Sequence, residues 1–171
     1  MTSSARLSEL APPPASSGPR VDWEDWERSV GFSPPADYKR LIDAYGLGRF
    51  DGFLWVLHPS TANSNLRLDV AQIESARHIL RNDSFGSNHE LVPWASTDNG
   101  DVAYWVTNAA PDDPDAWAVA VNEARGPDWS VSDLTTIPWL EAVLSGRLKV
   151  DVFPDDFPSN KPVFEPFDFE K

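Results

Sequence analysis

The sequence predicts an α+β domain, a mainly antiparallel sheet with helices packed against it. Three observations carry that expectation. Three short strand-like runs, LVPWAS, DVAYWVT and AWAVAVN, follow one another across turn-rich connections, and short connections favour antiparallel pairing. Helical periodicity precedes and follows them. An aromatic content of 12%, with eight tryptophans in 171 residues, is far above that of a disordered acidic chain. This length suits one domain able to bury a substantial core.

Taken in order, residues 1–20 are rich in Ala, Pro and Ser, with Pro12, Pro13 and Pro14 in a row, and are expected to form a flexible leader. The domain is expected over 21–150. In VDWEDWERSVG, Asp22 caps a helix whose Trp23, Trp26 and Val30 share one face, Gly31 ends it, and Glu24, Asp25 and Glu27 line the other face. A second helix is expected behind Ser33 as N-cap, with Pro34 in its first turn and Tyr38, Leu41, Ile42 and Tyr45 at helical spacing before Gly46.

The apolar run Phe53 to Leu57 reads as a central strand buried on both faces and ended by Pro59. A third helix is expected over about 65–81, with Val70, Ile73, Ala76 or Arg77, and Leu80 inward. Asn99-Gly100 signals a two-residue hairpin turn of type I′. In AWAVAVN, Trp117, Val119 and Val121 face one way and Ala118 and Ala120 the other. A last helix starts near Pro138 and carries Ile137, Leu140 and Leu144. Residues 151–171, with Phe153, Phe157, Phe164, Phe167 and Phe169 among prolines and acids, read as an extended tail that is neither helix nor regular strand.

Composition excludes several function classes. The chain has no cysteine, so disulfides, thiolate zinc sites and cysteine nucleophiles are absent, and the cytoplasm is the expected compartment. No apolar run approaches the ~20 residues needed to span a bilayer. With 27 acidic against 14 basic residues the formal charge is −13, which disfavours direct contact with nucleic acid or an anionic membrane and would attract a basic partner. The same charge also has a plain reading as a solubilising surface.

Motifs for chemistry are missing. GLGRFDG has its glycines off the dinucleotide spacing and follows a helix, and neither GxxxxGK[ST] nor GxSxG occurs. His58, His78 and His89 share no close spacing, and no HExxH exists. Asp98, Asn99 and Asp101 around Gly100 do not match a calcium loop, because Ala95 and Thr97 stand where ligands are needed. No catalytic, metal or cofactor residues are therefore predicted. Asp98 and Asp101 are expected to project from a hairpin tip, and Asp112, Asp113 and Asp115 to lie in a second connecting loop. These five are the candidate partner-binding residues.

GFSPPADYKRLIDAYGLGRFDGFLWVLHP, then a helix, then LVPWASTDNGDVAYWVTN, resembles the SUKH superfamily, whose members include a fungal cell-wall assembly regulator and many bacterial immunity proteins. The proline-led helix ending in Tyr45-Gly46, the Gly48-x-Phe50-x-Gly52-Phe53-Leu54 strand entry and the Pro93-to-Trp105 hairpin carry the resemblance, over roughly residues 22–145. It implies a non-enzymatic protein that binds and neutralises a toxin domain, often a nuclease, in the cytoplasm. The alternative it leaves open is an intracellular scaffold or regulatory module with no toxin partner.

Overall fold

The computed structural model describes residues 1–167; the expectation for Phe169 falls outside the described residues. The fold is α+β, with helices packed against a seven-stranded antiparallel sheet. Five helices are described: α1 (Ser3–Leu10), α2 (Trp23–Val30), α3 (Ala36–Tyr45), α4 (Val70–Leu80) and α5 (Thr136–Leu144). The strands are β1 (Gly48–Phe50), β2 (Leu54–Val56), β3 (Leu91–Thr97), β4 (Val102–Val106), β5 (Ala118–Asn122), β6 (Trp129–Val131) and β7 (Phe164–Pro166). Their order across the sheet is β6-β5-β4-β3-β2-β1-β7, so successive strands are neighbours except that the tail strand returns to the β1 edge.

Alternation along the strands divides the core. Phe50, Leu54, Val56, Trp94, Trp105, Val119 and Val121 enter the larger cluster together with Tyr38, Leu41, Ile42, Trp139 and Leu140 of α3 and α5. Leu91 and Tyr104 face the other side, where Ala76 and Leu80 of α4, Phe85 and Trp129 cover them. Trp94 and Trp105 are fully buried and stacked, 6.1 Å between ring centroids. Pro93 stands opposite Tyr104 in central β3 and is tolerated there because it borders a bulge, the register shift between Pro93 and Ala95.

Several expectations change. Residues 1–20 hold a docked helix. Thr2 caps α1, Leu7 and Ala11 are buried, Arg6 pairs with Glu141 of α5 at 3.4 Å, and the Tyr45 hydroxyl donates to the Ala11 carbonyl at 2.7 Å. Glu141 is itself buried and also paired with Arg147, so α1 brings one of the two cations that a buried carboxylate requires. The second helix starts at Ala36 rather than behind Ser33, because its free N–H at Ala36 is met from outside by the Asp115 carboxylate at 2.8 Å. Asp37 in turn accepts from the Ile137 N–H at the start of α5 at 2.8 Å, so two helix N-termini are capped across the fold.

The third helix is shorter than expected, capped by Asp69, and Val70 lies at the surface instead of inward. The Phe53-to-Leu57 run is a strand over Leu54–Val56 only, and Trp55 points out of the core side and is half-buried. Phe164–Pro166 of the tail forms a regular strand, against the expectation of none. The hairpin after β3 closes through a Gly100 N–H to Thr97 carbonyl bond of 2.9 Å, with Gly100 at φ 93° and no positive φ at Asn99. A three-residue loop of Asp98, Asn99 and Gly100 needs one left-handed residue, whereas type I′ needs two.

Candidate functional site

The five candidate aspartates do not form one patch. The β1–β2, β3–β4 and β5–β6 turns share one end of the sheet, which places Asp98 and Asp101 there. Asp112, Asp113 and Asp115 lie in the β4–β5 connection at the opposite end, a strand length or on the order of 15 Å away.

Asp101 does not project into solvent; it is 3% exposed. Its carboxylate accepts from the Thr97 hydroxyl at 2.8 Å and from the Ala124 N–H at 2.9 Å, which ties the β3–β4 hairpin to the β5–β6 turn. A buried carboxylate needs such donors, so Asp101 is a structural residue. Asp98 is exposed but held: it accepts from the Trp55 indole N–H at 2.7 Å and pairs with Arg49 at 3.6 Å. Asp115 is occupied in capping α3. Asp112 and Asp113 are exposed, and their side chains have no partner among the described residues. They are the two candidates with carboxylates free to meet a cation.

Two clusters were not anticipated from the sequence. On β7, β1 and β2, Arg49 lies 5.2 Å over the Trp55 ring, pairs with both Asp98 and Glu165, and Phe167 meets Trp55 edge-on at 5.3 Å. The signal was the L-W-V alternation, which turns Trp55 outward once Leu54 and Val56 turn inward. Beside β6, Asp83 accepts from the N–H groups of Phe85 (2.9 Å) and Gly86 (2.8 Å) and from the Trp129 indole (3.0 Å). The Gly86 N–H above all, then Trp129 and Phe85, hold the Asp83 carboxyl below its ordinary range against the upward push of partial burial. Burial, together with the Asp83 carboxylate, pushes the Tyr104 phenol up to about 12.

The histidines are dispersed. His58 is buried, accepts from the Ser60 N–H through Nδ1, and has its pKa lowered by burial. His89 stacks on Phe85 at 4.0 Å, and His78 is exposed on α4. Among the described residues no group of three His, Asp or Glu comes together in a metal-binding arrangement. A cavity of about 640 Å³ lies where α5 meets the tail and is lined by Leu10, Leu144, Leu148, Phe153 and Phe157. A smaller one of about 340 Å³ between α3 and α5 carries Asp37, Arg40 and Asp115, which the two helix caps and one guanidinium account for. No described helix is long and apolar enough to cross a membrane.

Comparison with protein-family models, with curated proteins and with solved structures finds no match.

Proposed function

We propose that this protein is an immunity protein that binds and neutralises a basic toxin domain, such as a nuclease, in the cytoplasm. The observation that carries the reading is the charge: −13 over 171 residues, with Asp112 and Asp113 exposed at one end of the sheet and without a side-chain partner among the described residues. A nuclease must present cations to phosphates, and an acidic partner is drawn to those cations faster than a neutral one. The mechanism is occlusion. The protein covers the toxin's substrate surface and needs no chemistry of its own, and the resemblance to SUKH immunity proteins points the same way.

The test starts from the neighbouring genes: a toxin-like C-terminal domain found there is co-expressed with this protein, scored by survival and then by co-purification, and a neighbourhood with no such gene favours the scaffold reading. Rescue with a stable complex supports the reading; cell death without a complex overturns it. In the complex, Asp112→Lys with Asp113→Lys should slow association by about tenfold at low salt and flatten its salt dependence. Asp115 is left intact in that variant because it caps α3.

A further inference from the structure

Among the described residues no strand pairs with the outer edge of β6, the last strand of the sheet. Glu123 N–H to Asp128 carbonyl (2.9 Å) and Ser132 N–H to Val119 carbonyl (3.0 Å) set the phase of the β5–β6 ladder, with Val121 opposite Ser130. In that phase Ser130 directs its peptide groups to β5, and Trp129 and Val131 direct theirs away from the sheet. Those N–H and C=O groups have no partner among the described residues.

Natural edges are usually blunted by a lysine, a proline, a bulge or a covering segment. Trp129-Ser130-Val131 carries none of these within the strand, and the Val131 side chain is 62% exposed. The strand is also rigidly presented. Trp129 is fixed by Asp83, by Phe85 at 4.5 Å and by Tyr104 at 5.7 Å between ring centroids. Charge then selects the occupant: Asp128 and Asp133 are exposed on either side of the strand and Glu123 is half-buried before it, and Arg125 is the one basic residue between Asn122 and Asp133.

We infer that β6 is a docking edge for an extended segment of a basic protein partner, which adds a strand beside Trp129–Val131. The inference rests on the reading of the protein as a binder of a basic partner and names the surface that binds. Main-chain bonds to Trp129 and Val131 supply attachment, an apolar side chain of the incoming strand lies beside Val131, and lysines or arginines at its ends meet Asp128 and Asp133.

The test is amide NMR of the full chain titrated with an acetylated probe peptide that alternates threonine and valine between lysine pairs. Shifts centred on Trp129 and Val131 are expected. Val131→Pro removes one outward N–H while leaving the bonds to β5, and Val131→Lys blunts the edge by charge; each should weaken binding at least about tenfold. Shifts scattered over other acidic loops, or none, overturn the inference. So do shifts at β6 that grow with protein concentration in the absence of peptide, which would assign the edge to a second copy of the chain. Peptide binding at β6 without rescue in co-expression removes the toxin reading alone, and rescue by Val131→Pro equal to that of the unaltered chain removes the docking edge alone.

Discussion

The two edges of the sheet are finished in opposite ways. At β7 the bonds Asp51 N–H to Val163 carbonyl and Phe167 N–H to Leu47 carbonyl set the ladder phase, so positions 162, 164 and 166 face outward. Two of those three are Pro162 and Pro166, which have no N–H to offer. The strand is also locked from behind: Phe164 packs against Tyr45 and Phe50, each at 5.0 Å, and Asp51 accepts from the N–H groups of Ser159 and Val163. At β6 the outward positions keep their N–H groups, and no proline interrupts the strand. The difference teaches that the tail serves to close one edge, and that the other is left available in a chain whose charge would draw a basic partner to it.

Breaking the closed edge has the largest expected effect. Phe164→Ala, which empties the contact with Tyr45 and Phe50, should cost about 3 kcal/mol in denaturant unfolding. Gly48→Val should act alike, because a Cβ there would sit 2.3 Å from the Glu165 carbonyl oxygen and 2.5 Å from the Phe164 ring. On the β6 side, Asp101→Ala removes the tie to the β5–β6 turn and should cost about 2 kcal/mol, measured the same way. Asp51→Ala should cost about 1 kcal/mol and raise amide exchange over residues 159–165 before the rest of the sheet. Val131→Pro should cost less than about 1 kcal/mol, since its N–H faces outward.

The smallest effect is a pH dependence. Asp83 has a folded pKa below its unfolded value of about 3.9, so its contribution is complete above that pH and is lost as pH falls through the folded pKa. Asp83→Asn should therefore flatten the acid limb of the stability profile below about pH 4. His58, buried and with a lowered pKa, works in the same direction at higher pH. Its contribution is complete above about 6.5 and declines as pH falls from there toward the folded pKa.

Most of the framework was legible in the sequence. Period-2 alternation found β3, β4 and β5, and the caps at Asp22 and Gly31 found α2, because these signals act within a few residues. What escaped depends on distant partners. The α1 segment has too few apolar residues to announce a helix, and Arg6 has a reason to dock only because Glu141 is buried more than a hundred residues away. Asp115 replaces Ser33 at the α3 terminus by the same kind of long-range contact. Strands of three residues, β1, β6 and β7, are shorter than any window that reveals a period. For the candidate site, spacing placed Asp98 and Asp101 correctly at a hairpin, yet could not show that the Ala124 N–H would draw Asp101 inward. Nor could it show that one strand length separates them from Asp112 and Asp113.

Residue-resolved amide hydrogen exchange of the free protein tests the open edge most directly. The account predicts alternation along β6, with Ser130 protected by β5 and Trp129 and Val131 exchanging near the rate of unprotected amides. Uniform protection of all three amides would contradict it, because the β6 edge would then be covered and the two edges of the sheet would be alike.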